Sequence, residues 1–172
     1  MLHDVDFAKD EDVGEGLAGH PGLIESNRVL LVEDDLAIRE TISDLLEAEG
    51  FFVLAAANGQ DALQILRSQP CPAVILLDLS MPVMDGWDFR QAQLRDAGLR
   101  DIPTMVLTAA GFSRETIRTQ FGDVDFVRKP VAPDELVAAV NRACRRDLAS
   151  AMSAVAKRRD AGVRAAPACP GG

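Results

Sequence analysis

Cysteine is scarce in this chain. Cys71, Cys144 and Cys169 make an odd count, and no two of them form a Cys-x-x-Cys pair. That pattern argues against a disulfide framework, a zinc site or a secreted scaffold, and makes a reducing cytoplasm the expected compartment. Long apolar runs are missing as well. Val74 to Leu77 is typical of those present, far short of the ~18 to 20 residues that a membrane span requires. Met1 to Asp12 offers neither a basic start nor an apolar block, so no secretory signal or transit peptide is read there. Positive charge is in deficit: 18 Lys plus Arg against 27 Asp plus Glu leave a net charge of −9. A surface of that sign repels nucleic-acid phosphate and anionic lipid, so neither direct nucleic-acid binding nor membrane contact is expected.

The 172 residues, 48% apolar and 26% charged, suit one domain with length to spare. A domain of ~120 to 150 residues buries ~65 to 70% of its unfolded surface, enough for a core without staples. Residues 1–27 carry seven acids and one lysine, and Gly14, Gly16, Gly19, Pro21 and Gly22 break any period. They read as a disordered acidic arm. Residues 151–172 carry Lys157, Arg158, Arg159 and Arg164 against Asp160 and end in Ala-Pro-Ala-Cys-Pro-Gly-Gly, the composition of a flexible tail. The folded domain is therefore expected within residues 28–150.

Within it, short β-branched runs alternate with longer helical periods, the pattern of parallel strands joined by crossover helices. The strand candidates are Val29 to Glu33, Phe52 to Ala56, Val74 to Asp78, Thr104 to Thr108 and Asp125 to Arg128. The third is continuously apolar, as a strand covered on both faces should be. A first helix is predicted from about Leu36 to Glu49, capped by Asp35, with Ile38, Ile42, Leu45 and Leu46 inward. Asn58 caps a second, which buries Ala62, Leu63, Ile65 and Leu66 before Pro70. A third follows Gly86 and ends near Gly98, a short fourth starts at Ser113, and a long fifth starts at Pro133.

In an open parallel sheet, ligands bind beyond the carboxyl ends of the strands, where strand order reverses. Here those ends carry Glu33, Asp34 and Asp35, then Asp78, Thr108 and Lys129. Asp35 is read as a helix cap. Asp78 is harder to treat as structural, because a fully apolar strand delivers its carboxylate, and an unpaired buried charge costs several kcal/mol. Glu33, Asp34 and Asp78 together offer the hard, incomplete oxygen set that suits Mg²⁺, with the Ser80 main-chain carbonyl as a further ligand. Lys129 adds a point charge and Thr108 a hydroxyl, both suited to phosphoryl oxygens. The set fits phosphoryl transfer to a carboxylate, with Asp78 as nucleophile.

The sequence resembles the receiver domain of bacterial two-component response regulators over about Asn27 to Leu148. The resemblance is carried by Val-Leu-Leu-Val-Glu-Asp-Asp at 29–35, Val-Ile-Leu-Leu-Asp-Leu-Ser-Met-Pro-Val-Met-Asp-Gly-Trp at 74–87, Val-Leu-Thr-Ala at 106–109 and Phe-Val-Arg-Lys-Pro at 126–130. It implies a doubly wound, flavodoxin-like α/β fold with five parallel strands in the order 2-1-3-4-5. It also implies Glu33 and Asp34 as the acidic metal pair, Asp78 as phosphoacceptor, Ser80 as backbone metal ligand and Mg²⁺ as cofactor. Thr108 takes the switch hydroxyl position, Lys129 the phosphoryl-pairing position and Phe126 that of the switch aromatic. Pro130 matches a proline whose peptide bond is often cis, and Gly86 shapes the loop after the third strand. Ser80 and Ala110 occupy the positions linked to acyl-phosphate lifetime.

A receiver is a signalling phosphoacceptor rather than an enzyme acting on a separate substrate. The implied partners are a histidine kinase or phosphotransfer protein and a downstream protein. The 22 residues after position 150 are too few for an output domain, so a single-domain receiver is expected, and dimerisation through its fourth and fifth helices stays open. Where many receivers carry Tyr, Phe126 has no hydroxyl to donate and is expected half-buried. The stretch from Thr108 to Lys129 predicts a short or irregular fourth helix. A haloacid-dehalogenase phosphatase would need Asp rather than Ser80. A dinucleotide-binding domain would need a glycine-rich turn where Glu33-Asp34-Asp35-Leu36 stands. The remaining rival is a receiver-like docking module that works without phosphorylation.

Overall fold

The computed structural model describes residues 27–109, 112–122 and 124–145. The expectations for the acidic arm up to residue 26, for Ala110 and for the tail lie outside the described residues. The strands are β1 (Arg28–Val32), β2 (Phe52–Ala56), β3 (Val74–Asp78), β4 (Thr104–Thr108) and β5 (Asp125–Arg128). All pair in parallel, in the order β2-β1-β3-β4-β5. The helices are α1 (Leu36–Ala48), α2 (Gly59–Ser68), α3 (Gly86–Arg95), α4 (Arg114–Phe121) and α5 over residues 133–145.

Successive strand residues point to opposite faces, and the core divides accordingly. Val29, Leu31, Val74, Leu76, Met105 and Leu107 pack with Ile42 and Leu46 of α1 and Leu136 and Val140 of α5. Leu30, Val32, Ile75, Leu77 and Val106 pack with residues of α2, α3 and α4 on the other face. All five residues of β3 are buried, which explains why it reads as an unbroken apolar run. From β1 the chain first steps outward to β2, then crosses back to β3 on the other side of β1. That reversal opens a crevice between β1 and β3 at their carboxyl ends.

Each of the first four helices begins at a side-chain cap. Asp35, Asn58, Asp85 and Ser113 accept from Ile38, Asp61, Asp88 and Thr116 N–H at 2.8 to 3.0 Å, each satisfying an otherwise orphaned donor. α4 has eight residues and is regular, with Ile117 and Phe121 as its buried stripe.

Several expectations are corrected. β1 spans Arg28–Val32 rather than Val29 to Glu33: Arg28 pairs with Phe52 and its carbonyl accepts from Ala73 N–H at 2.8 Å, while the chain turns away at Glu33. The end of α1 is where it was expected, with Glu49 as its C-cap: the Glu49 and Gly50 N–H groups fold back onto Leu46 and Glu47 carbonyls, and Gly50 takes φ 85°. Ile38 is 36% exposed, not inward. α3 ends at Arg95, since the Asp96 side chain accepts from Gly98 N–H and pulls the chain into a turn.

The turn after α3 is held by Gln93, which is fully buried. Its Nε2 donates to the Leu99 and Ile102 carbonyls, both at 3.0 Å. Its Oε1 accepts from Arg90 Nη1 at 2.8 Å and Thr104 Oγ1 at 3.0 Å. Both donors and both lone pairs of the amide are used.

Candidate functional site

The apolar run of β3 carries Asp78 to the crevice, where only 5% of the residue is exposed. Its two oxygens have different surroundings. Oδ1 accepts from Leu79 N–H at 2.7 Å and Ser80 N–H at 3.4 Å, while Oδ2 lies 3.0 Å from Lys129 Nζ. Lys129 comes directly after β5 and is anchored by its own N–H, which donates to the Thr108 carbonyl at 2.8 Å. The same ammonium lies 2.6 Å from Glu33 Oε2 and donates to Oε1 at 2.9 Å.

Glu33 is 1% exposed, just past β1, and Asp34 beside it is exposed. Oxygens of Glu33, Asp34 and Asp78 all lie within 4.8 Å of one another. Glu33 and Asp78 therefore share one ammonium, and Asp34 stands beside them with no ion pair among the described residues. Burial pushes the Glu33 carboxyl above its ordinary value; the hydrogen bond from Lys129 opposes this, and the charges of Asp78 and Asp34 reinforce it. Burial also works against the Lys129 ammonium, but hydrogen bonds and charge from Glu33 and Asp78 outweigh it and hold Lys129 above its ordinary value. A hard divalent cation would relieve that excess of negative charge. The donor set, all oxygen with one exposed carboxylate as the point of entry, fits such an ion.

Ser80 is exposed directly after the buried Leu79. Thr108 ends β4, 1% exposed, and its hydroxyl donates to the Ala109 carbonyl at 3.1 Å rather than to the acidic group. Phe126 pairs with Val106 in β5, is half-buried, and lies beneath the Arg114 guanidinium, 4.8 Å from the ring centroid. It does not join the acidic cluster. The Lys129–Pro130 peptide bond is cis. Gly86 supports the crevice from below: a Cβ there would overlap the Asp78 carbonyl oxygen and stand 2.9 Å from Leu79 Cα. Trp87 packs edge-on against Phe112 and Phe121 at centroid distances of 5.6 and 4.8 Å, a structural role. Val83, on the same loop, is 78% exposed at φ 69°, a left-handed conformation that β-branched residues avoid.

Two residues escaped the sequence reading. Gly59 leaves room for Met84, whose Cγ would stand 2.7 Å from an added Cβ. Arg39, in the first turn of α1, donates from Nη1 to the Glu33 and Asp34 carbonyls at 2.6 and 3.1 Å. The available signal for Arg39 was a cation at the amino end of a helix, where the dipole disfavours it.

Residues 29–141 match the family model of the response regulator receiver domain. The phosphate regulon transcriptional regulatory protein PhoB of Klebsiella pneumoniae is 38% identical over 122 residues, covering 70% of this chain and 53% of that protein. Response regulator Rre1 of Synechocystis is 37% identical over 130 residues, covering 74% and 56%. The chain spans about half the length of the curated relatives it matches. Among solved structures, the receiver domain of the Francisella response regulator 1452 superposes with a TM-score of 0.62 at 29% identity, covering 70% of this chain and 98% of that one. The Vibrio cholerae chemotaxis protein CheY4 does so with 0.60 at 29% identity, covering 67% and 97%. No described helix is long and apolar enough to cross a membrane.

Proposed function

The chain belongs to the response regulator receiver domain family, and from that premise we propose that Asp78 accepts a phosphoryl group from a phosphohistidine of a histidine kinase or phosphotransfer protein. The observation that carries the reading is the asymmetry at Asp78. Oδ1 is held by two main-chain N–H groups, while Oδ2 pairs with the ammonium that would accompany an incoming phosphoryl group. Oδ2 is the attacking atom: a P–O bond forms there as the donor's P–N bond breaks.

Glu33, Asp34, Asp78 and the Ser80 main-chain carbonyl would hold Mg²⁺, which when bound supplies positive charge to the carboxylates and the phosphoryl oxygens. Lys129 leaves Oδ2 during the attack and pairs with a phosphoryl oxygen, so its charge stays in the crevice while its contacts change. The acyl phosphate adds about two negative charges and three acceptor oxygens. The Thr108 hydroxyl, bound to its neighbour's carbonyl at 3.1 Å, turns towards those acceptors, and Phe126 takes the space vacated beside β4. The surface formed by α4, β5 and α5 thereby changes shape for a downstream protein partner. Hydrolysis of the acyl phosphate by water restores the starting state, so the protein acts as a signalling phosphoacceptor.

Incubation with Mg²⁺ and acetyl phosphate, followed by intact-mass measurement, tests this. The wild type gains one phosphate-sized increment and Asp78→Asn gains none. A gain on both variants moves the acceptor elsewhere, and a gain on neither leaves a docking module that works without phosphorylation.

A further inference from the structure

α1 opens with Leu36-Ala37-Ile38-Arg39 and has no acidic residue in its first turn. Arg39 is thus a cation at the positive end of a helix dipole, a placement that costs the helix stability. Its guanidinium turns back past the helix start to the segment that carries the acidic pair. A single nitrogen, Nη1, donates to both the Glu33 carbonyl at 2.6 Å and the Asp34 carbonyl at 3.1 Å. Those carbonyls lie past the last residue of β1. On the other side, Glu33 N–H donates to the Ala56 carbonyl at 3.1 Å, and the Asp35 side chain ties the same turn to Ile38 N–H. The peptide units of Glu33 and Asp34 are therefore gripped from two directions.

The two acids depend on that grip to different degrees. The Glu33 carboxylate is fixed directly by Lys129. The Asp34 carboxylate makes no hydrogen bond or ion pair among the described residues, so only its own backbone aims it at the crevice. We propose that Arg39 is a positioning residue for the cation site, aiming the Asp34 carboxylate by holding the main chain of Glu33 and Asp34. The inference rests on the reading of Glu33, Asp34 and Asp78 as a Mg²⁺ site.

Electrostatics and positioning predict opposite signs, which makes the proposal decidable. Removing the positive charge of Arg39 from the neighbourhood of three carboxylates would, by Coulomb attraction alone, tighten cation binding. Releasing the two peptide units loosens it, because groups that orient metal ligands typically govern affinity by tenfold or more. The test is calorimetric titration of the full chain with Mg²⁺, without phosphoryl donor, on wild type, Arg39→Met and Arg39→Lys, with thermal melts alongside. Arg39→Met is expected to bind Mg²⁺ about tenfold more weakly while still melting cooperatively. Arg39→Lys, which keeps the charge and several donors, is expected nearer to wild type. Binding by Arg39→Met that equals or exceeds wild type overturns the proposal. Should Arg39→Met not fold, Arg39→Gln, which lacks both the charge and the reach, carries the same comparison with the same two outcomes. A wild type that takes up no Mg²⁺ defeats the underlying site reading instead, and with it the inference.

Discussion

At the amino-terminal pole of the sheet, the start of β4 joins Gln93 and Arg90 in a polar cluster; at the carboxyl-terminal pole, Glu33, Asp34 and Asp78 gather around Lys129. Both groups sit at the edge of the same apolar core, and both include side chains that are almost wholly buried. The Gln93 amide spends every donor and lone pair inside the protein. The acidic group retains more negative charge than its single ammonium can balance. A closed amide contributes rigidity and asks nothing of the surroundings, although Nε of its neighbour Arg90 is buried without a partner. An open one leaves a deficit that an outside ion or group can fill, at some cost to the stability of the protein alone.

That contrast predicts opposite consequences for substitutions at the two poles. Gln93→Leu strands the Leu99 and Ile102 carbonyls and removes the partner of Arg90 and Thr104. Urea denaturation should show a loss of about 2 to 4 kcal/mol, with Mg²⁺ affinity unchanged. An altered affinity would mean that the poles are coupled through β3 and β4. Glu33→Gln should do the reverse, weakening Mg²⁺ binding while sparing the metal-free fold. Its effect on stability depends on pH. The folded chain holds the Glu33 proton more tightly than the unfolded chain, whose value is 4.5. The wild type therefore becomes less stable as pH rises from 4.5 through the folded value, and the glutamine variant lacks this loss. In the presence of a chelator, the advantage of Glu33→Gln in melts should widen as pH rises from 4.5 towards neutrality. A gap that narrows would show that the ion pair with Lys129 outweighs burial.

The smallest effect is expected at Val83. Relief of its left-handed backbone is worth ~1 to 2 kcal/mol, and glycine returns part of that through the freedom of the unfolded chain. Val83→Gly should therefore gain about 1 kcal/mol or less, read as a raised melting temperature. A loss would mean that the exposed valine is held by contacts beyond its own loop.

The fold was legible because strands and helices here obey their simplest signals. β2, β3, β4 and β5 run between the residues that composition and turn punctuation marked, since buried parallel strands leave little room for polar interruption. Boundaries were lost where the hydrogen bonds of single side chains decide them. Asp96 ends α3 early by accepting from Gly98 N–H, and nothing in the periodicity announces this. Ile38 matched the inward stripe of α1, yet it sits in the first turn and stays 36% exposed. At the site, acids delivered by strand ends could be read directly, because a buried apolar strand fixes where its terminal residue must emerge. Arg39 at the site and Gln93 at the opposite pole were not read, Arg39 offering only the weak signal of a cation at a helix start. Each donates to main-chain carbonyls, and a carbonyl partner leaves no residue type in the sequence to look for.

Glu33 and Lys129 lie 96 positions apart, and their contact crosses the sheet from β1 to the residue after β5. Asp78 precedes Lys129 by 51 positions, so all three acids are in the chain before the lysine that pairs with two of them. Until the fifth strand docks, the pocket repels its own members and has no ammonium to meet a phosphoryl oxygen. Charge balance in the crevice therefore waits on the docking of β5, the strand that delivers Lys129.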